Sequence, residues 1–176
     1  MAAPESLRYD ISVIRPAVTH DEITFRGQDL PPKERAKVKK ALRTLHSLEI
    51  MATNTYRFQI SRRNDALDRD LIAAMCNEMT HMQDFAVKLY EYGLRPSLFR
   101  WAWWLVGFGF GFGSRLLGRK AILKIGVLVE TKAVHHYDEL LNAAEWDQAT
   151  RRVIEKDQAD EGGHIQTWSR YLSELS

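Results

Sequence analysis

The sequence predicts an all-α protein in which two pairs of helices form a four-helix bundle. Apolar residues recur with the 3.6-residue period of a helix in four long segments. Turn and capping signals separate these segments, including Pro31-Pro32 before the first and Asp147 before the last. A Glu-x-x-His pattern occurs in the second segment and again in the fourth. The predicted helices cover about 33–62, 66–92, 120–144 and 148–175.

Length and composition place limits on the class of protein. With 176 residues the chain is long enough for one complete core, which we assign to 31–176, after an N-terminal arm at 1–30. The formal net charge of +2 is too small to indicate nucleic-acid binding, and the basic cluster Lys33–Arg43 is typical of a solvated helix face. Cys76 is the single cysteine, so no intrachain disulfide can form. No apolar segment opens the sequence, and we expect no secretory signal.

Acidic residues interrupt the apolar faces of the first two helices. Glu49 lies four residues after Leu45 and three before Ala52, so it shares their inward face. In the second helix Glu78 and His81 fall on the apolar stripe, where residues three apart are neighbours. A carboxylate on a core face is costly unless it is paired or bound to a metal. Both helices therefore indicate a buried polar site.

The second pair of helices repeats this arrangement. Glu130 interrupts the apolar face of the third helix, and Glu161 and His164 point inward from the fourth. Each helix hairpin thus supplies one lone glutamate and one Glu-x-x-His pair. Gly162 and Gly163 within the fourth helix each cost about 1 kcal/mol relative to alanine, which favours close approach of a neighbouring helix or a ligand at that point.

Six inward-facing side chains from four helices predict a dinuclear metal site. Four carboxylates and two neutral imidazoles carry four negative charges, which two divalent ions balance. This ligand set is typical of ferritin-like di-iron or di-manganese bundles, and hard carboxylates with imidazole suit iron. Structural zinc fits less well because it favours four ligands, often thiolates. The predicted ligands are Glu49, Glu78, His81, Glu130, Glu161 and His164.

Three residues near Glu130 are candidates for a supporting role. Tyr137 lies on the Glu130 face, where it can hydrogen-bond a ligand and deliver protons. His135 and His136 point about 100° or more away from Glu130 on a helical wheel. We therefore place these two histidines behind the ligands or at the surface and do not expect them to bind metal.

An aromatic, glycine-rich stretch at 97–117 connects the two helix pairs. Its uncharged part, Trp101 to Ser114, is only about 14 residues long, whereas a membrane-spanning helix needs about 20. Tryptophans and flanking arginines suit a bilayer interface, so we expect an additional apolar, membrane-interfacial helical segment that dips into one leaflet. A buried, glycine-notched connection is the alternative, and the alternation of Phe and Gly also admits a strand.

Several motifs together resemble the demethoxyubiquinone hydroxylases, ferritin-like di-iron monooxygenases of ubiquinone biosynthesis. The resemblance covers roughly 40–175, and its aromatic middle block distinguishes it from ordinary ferritins and rubrerythrins. One departure is Glu49-Ile50-Met51-Ala52, where the family usually has Glu-Tyr-Gly-Ala. The motifs that carry the resemblance are Glu49 with Ala52 and Tyr56, Glu78-x-x-His81, Leu94-Arg95-Pro96, Gly113-Ser114-Arg115-Leu116-Leu117-Gly118, Val129-Glu130, Ala133-Val134-His135-His136-Tyr137 and Asp160-Glu161-x-x-His164.

The resemblance implies O2-dependent hydroxylation of a prenylated benzoquinone ring by two iron ions. The family's ligands correspond to the six residues predicted above. It also implies a peripheral location on the cytoplasmic face of an inner membrane, or on the mitochondrial inner membrane in a eukaryote, with a homo-oligomer or a quinone-biosynthesis complex as a further assembly. The alternatives are a rubrerythrin-like di-iron oxidase or peroxidase and a non-catalytic quinone- or lipid-binding relative. Iron storage fits worst, because the aromatic block does not suit the outside of a soluble cage.

Overall fold

The computed structural model describes residues 18–61, 63 and 65–175 and confirms the all-α prediction. Beyond a short 3₁₀ turn at His20–Glu22, the regular elements of these residues are five α-helices. The four predicted bundle helices are present with slightly different ends, and a further helix lies between the two pairs. The helices are α1 (Pro32–Gln59), α2 (Ala66–Glu91), α3 (Arg100–Leu117), α4 (Arg119–Ala143) and α5 (Gln148–Glu174).

Two antiparallel hairpins, α1–α2 and α4–α5, form the bundle, and α3 packs against α1 and α4. Apolar residues fill the bundle in two clusters. One cluster includes Leu45, Phe85, Tyr137 and Ile154, and the other lies around Tyr56, Leu71, Leu123 and Trp168. Along each of the four helices the predicted ligands fall between residues of the first cluster and residues of the second. The polar residues therefore form a layer between two apolar layers.

The stretch between the hairpins folds into a helix, so the strand alternative is wrong. Two of its glycines allow α3 to approach α1 closely, because a Cβ at Gly107 would lie 2.4 Å from the carbonyl oxygen of Met51. A Cβ at Gly111 would lie equally close to the carbonyl oxygen of Thr55. Among the residues that the structure covers, no helix combines the length and the apolar character needed to cross a bilayer.

The N-terminal arm contacts one end of the bundle at Asp147, the N-cap of α5. Arg26 contacts this carboxylate at 2.7 Å, and Tyr92 donates a hydrogen bond to it at 2.6 Å. Burial tends to raise the pKa of Asp147, but hydrogen bonds from Thr150 and Tyr92 and the charge of Arg26 lower it to about 2. The part of the arm predicted at 1–17 lies outside the described residues.

Candidate metal centre

The structure brings the six predicted side chains together in the polar layer. Their donor atoms form two groups, and within each group the atoms lie within 4.8 Å of one another. The first group contains Glu49 and His81, and the second contains Glu130 and His164. Glu78 and Glu161 belong to both groups. This arrangement forms two adjacent candidate metal positions, each with one carboxylate and one imidazole of its own, and two carboxylates shared by both.

Both imidazoles direct Nδ1 at the carboxylates. His81 Nδ1 lies 3.2 Å from Glu161 Oε1 and 3.6 Å from Glu78 Oε2. His164 Nδ1 lies 3.0 Å from Glu78 Oε1 and 3.5 Å from Glu161 Oε2. Because the i, i+3 spacing of each Glu-x-x-His pair places both side chains on one face, a single helix turn supplies two donors.

Burial and mutual repulsion dominate the electrostatics of this layer. Burial and the charges of Glu161 and Glu78 raise the pKa of Glu49 well above its usual value, and burial together with Glu161 does the same for Glu130. Burial disfavours the imidazolium of His164, but contacts with Glu130, Glu161 and Glu78 raise its pKa to about 12. The carboxylates thus draw positive charge into the layer, which bound cations would supply.

The residues present fit a pair of metal ions. Both carboxylate oxygens of Glu78, both of Glu161, and Nδ1 of His81 and of His164 are buried and make no hydrogen bond within the described part of the chain. An unsatisfied buried polar atom costs about 1–3 kcal/mol. Metal coordination would use these atoms, and the mixture of carboxylate and imidazole donors suits iron or manganese.

Comparison with known proteins gives the family of this chain. The family model described as "Ubiquinone biosynthesis protein COQ7" matches residues 36–174. The chain belongs to this family.

Three relatives show the degree of similarity. The "NADPH-dependent 3-demethoxyubiquinone 3-hydroxylase, mitochondrial" of Dictyostelium discoideum is 29% identical over 152 residues, which are 82% of this chain and 70% of the relative. A "3-demethoxyubiquinol 3-hydroxylase" of Polaromonas sp. is 31% identical over 149 residues, or 81% of this chain and 70% of the relative. A protein of the same name from Paracidovorax citrulli is 33% identical over 140 residues, 77% and 67% of the two chains.

In this COQ7-family chain, two buried tyrosines hold the lone glutamates. Tyr137, which the sequence predicts to lie on the Glu130 face, donates a hydrogen bond of 2.7 Å to Glu49 Oε1. Tyr56 donates to Glu130 Oε1 and accepts a hydrogen bond from Trp168 Nε1 at 3.0 Å. The sequence identifies Tyr56 only in a motif that carries the family resemblance and gives it no role in the site. The signal for its role was its position two helix turns after Glu49, which matches the position of Tyr137 two turns after Glu130.

Two aspartates of α5 near His81 were also missed. His81 Nε2 lies 3.1 Å from Asp160 Oδ2 and 3.8 Å from Asp157 Oδ1. Lys156 Nζ lies 3.2 Å from each of these two oxygens. Asp157, one turn before Glu161, is fully buried. Only that spacing could have identified Asp157 as part of the site.

The structure exposes His135 at the surface of α4, whereas His136 is half-buried. His135 Nε2 lies 3.2 Å from Glu139 and His136 Nδ1 lies 3.3 Å from the same carboxylate. Neither histidine forms an ion pair with the six clustered residues. No direct contact therefore supports a role for either histidine in the polar layer.

No neighbouring helix packs closely against the two glycines of α5. A Cβ at Gly162 or Gly163 would meet no atom within 4 Å. Close approach of another helix therefore does not explain these two residues, whereas close approach of a ligand stays a prediction.

An apolar cavity of about 340 Å³ lies beside Glu49, between α1, α3 and α4. Glu49 is its acidic lining residue, and Lys132 and His136 also line it. The cavity therefore lies between α3 and the edge of the polar layer at Glu49. Its apolar walls include Leu48, Met51, Val106, Phe110, Leu128 and Val129.

Proposed function

We propose that this chain hydroxylates the ring of a demethoxyubiquinone-type quinol or quinone, using O2 and two iron ions held by the six clustered residues. The observation that carries the proposal is the apolar cavity that opens onto the metal layer at Glu49. The names of the relatives give the substrate class. A rubrerythrin-like oxidase or peroxidase would not require an apolar cavity at this position.

Glu49 and His81 would hold one ion, Glu130 and His164 the other, and Glu78 and Glu161 would bridge them. Iron bound there would supply reductive activation of O2, since two ferrous ions can provide two electrons together. The apolar layers above and below shield the polar layer from water along the bundle axis. Tyr137 and Tyr56 orient the two lone glutamates by hydrogen bonds to one oxygen each, which leaves the other oxygen free for coordination.

The cavity beside Glu49 would take the quinone head group. Its volume lies within the range of small-molecule sites, roughly 300–1,000 Å³. Apolar walls suit the ring and its methyl group, and Lys132 and His136 can donate hydrogen bonds to the ring oxygens. This placement brings the ring next to the metal layer, as a reaction at one ring carbon requires.

The outer face of α3 would lie on a membrane surface, which explains how a polyprenyl substrate reaches the cavity. Moving the tail into water costs about 0.8 kcal/mol per CH2, so drawing only the head group into the protein is less costly. Large apolar side chains are exposed on and beside α3, and Trp103, Val106 and Phe110 of the same helix line the cavity. The exposed residues include Leu98, Phe99, Trp101, Leu105, Phe112, Leu116 and Leu117.

The catalytic proposal is tested with the reduced, iron-loaded protein, O2 labelled with ¹⁸O and a short-tailed demethoxyubiquinol. We expect one labelled oxygen atom in the product, as measured by mass spectrometry. Glu78→Ala should lower iron content well below two ions per chain and abolish the labelled product, because Glu78 belongs to both metal positions. Glu145→Ala, at an exposed site away from the layer, is the control. Consumption of O2 without labelled quinone would instead favour an oxidase.

The membrane proposal is tested by flotation with liposomes. Phe99→Glu and Leu117→Glu place charges on side chains that are 70% and 81% exposed, so we expect flotation to fall with little effect on folding. Phe99 and Leu117 are chosen in place of Trp103 or Phe110 because Trp103 and Phe110 also line the cavity. Substitution of a cavity residue would change the cavity as well as the surface. Ile72→Glu, at an exposed apolar site on α2, is the matched control. Equal flotation of all three variants would refute contact through α3.

A further inference from the structure

The polar layer has an approximate twofold symmetry that relates the two hairpins. Glu49 and Glu130 correspond, as do the two Glu-x-x-His pairs. The tyrosines follow the same rule, since Tyr56 of α1 holds Glu130 of α4 and Tyr137 of α4 holds Glu49 of α1. By this symmetry, residues of α5 face His81 of α2 in the way that residues of α2 face His164 of α5.

The symmetry does not extend to the residues that face Nε2 of His81 and their counterparts near His164. Asp160 and Asp157 face Nε2 of His81, at 3.1 Å and 3.8 Å. Relative to the bridging glutamates, the residues of α2 that correspond to Lys156, Asp157 and Asp160 are Ala73, Ala74 and Asn77. His164 therefore lacks the carboxylates that support His81. The polar contacts that His164 makes with described residues all use Nδ1.

A cavity of about 340 Å³ occupies the place of the missing support. It lies between α2 and α5, and its lining residues include Ala73, Ala74 and Asn77 of α2 and Asp160, Gly163 and His164 of α5. The side chain of His164 is 15% exposed, whereas that of His81 is fully buried. Water thus reaches one of the two histidines and not the other.

We infer that Asp160, assisted by Asp157, is a positioning residue that makes the two metal positions unequal. The Glu49/His81 position retains its ion, and the Glu130/His164 position exchanges its ion through the cavity between α2 and α5. This inference rests on the two-metal site proposed above. A carboxylate on the far nitrogen fixes the orientation of an imidazole and raises its basicity as a ligand, and losing such a partner typically costs about 10–100-fold in metal affinity.

The rate of iron release tests the inference without measuring catalysis. Protein loaded anaerobically with Fe2+ is mixed with excess chromogenic chelator, and release is followed by absorbance. We expect two phases of one ion each, separated by about 10–100-fold. Asp160→Asn should accelerate the slow phase toward the fast one. Asp160 also lines the cavity, but asparagine has the same shape as aspartate, so the fast phase should be unchanged. The double variant Asn77→Asp/Asp160→Asn moves the carboxylate from α5 to the corresponding position of α2 and should restore a slow phase. A variant that had only lost its fold would not regain a slow phase.

A matched pair of glycine variants tests the route. A Cβ at Gly163 or Gly162 fits without a clash, but only Gly163 lines the cavity. Gly163→Ala should slow the fast phase, and Gly162→Ala should leave both phases unchanged. Wild-type protein that binds two ions and releases them in one phase would overturn this inference alone. Binding of fewer than two ions would overturn the two-metal proposal and this inference with it.

Discussion

Alanine substitutions in α3 test whether its glycines set the distance between α3 and α1. A Cβ at Gly107 or Gly111 would lie 2.4 Å from a backbone carbonyl oxygen of α1. Carbon–oxygen contacts between helices normally measure roughly 3.3–3.6 Å, so each substitution requires α3 to move by about 1 Å. A backbone atom cannot move aside as the end of a flexible side chain can. Overpacking of this kind costs about 1–3 kcal/mol.

Gly109 and Gly113 provide the control, because a Cβ at either position would meet no atom within 4 Å. All four glycines lie in the same helix, so the gain in helix propensity from alanine, about 1 kcal/mol, is common to both pairs. The difference between the pairs therefore isolates the contact with α1. At about 2 kcal/mol per site, the midpoint of thermal unfolding should differ by roughly 4–8 °C per site for a chain of this size.

Thermal unfolding of the single variants is followed by circular dichroism, and denaturant unfolding gives the free energies. We expect Gly109→Ala and Gly113→Ala to match or exceed the wild type, and Gly107→Ala and Gly111→Ala to be less stable than this pair. Displacement of α3 also moves Trp103, Val106 and Phe110, which line the cavity, so the inward pair should raise KM for the quinone. Equal stability of the inward and outward pairs would refute the close packing of α3 on α1.

Two further predictions concern side-chain hydrogen bonds of the bundle. Tyr137→Phe leaves Glu49 Oε1 without its donor, so denaturant unfolding of the metal-free protein should show a loss of about 1–3 kcal/mol; the same loss for Tyr90→Phe, at an exposed site, would contradict this reason. The pKa of Asp147 is lower in the folded chain than its ordinary value of 3.8, so its stabilisation is complete above about pH 4 and is lost as the pH falls toward 2. Asp147→Asn should therefore be less stable than wild type at neutral pH, by about 1 kcal/mol after allowance for partial exposure, and the two unfolding curves should converge near pH 2.

The residues of the polar layer could be predicted because burying a carboxylate is costly. Glu49 and Glu130 interrupt apolar stripes that are otherwise unbroken, and helical spacing alone puts Glu78 beside His81. The supporting contacts could not be predicted in this way. The bond from Tyr56 to Glu130 joins α1 to α4, so its partner depends on how the two hairpins pack. Asp157 and Asp160 carry the composition of a solvated helix face, and only the packing of α2 against α5 brings them to His81.

The position of α3 was harder to predict than the bundle because α1 is buried on more than one face. Every residue from Leu45 to Tyr56 is buried, although the apolar stripe accounts for only one side of the helix. The second buried face contains polar residues that satisfy themselves on their own helix. Asn54 donates to the carbonyl of Ile50 and Thr55 to that of Met51.

Because these polar side chains fold back onto α1, they expose a flat surface of backbone and Cβ atoms that the glycines of α3 can contact. Sequence periodicity predicts that such a face is solvated, because periodicity counts polar side chains. It does not show that these side chains already hydrogen-bond to the backbone of their own helix. The Phe-Gly alternation of α3 is the complementary signal. Gly107 and Gly111 lie one helix turn apart and face α1, whereas Trp104, Phe108 and Phe112 stack along the same helix at the same spacing. The helix that completes the cavity beside Glu49 is thus positioned by residues that carry no functional group.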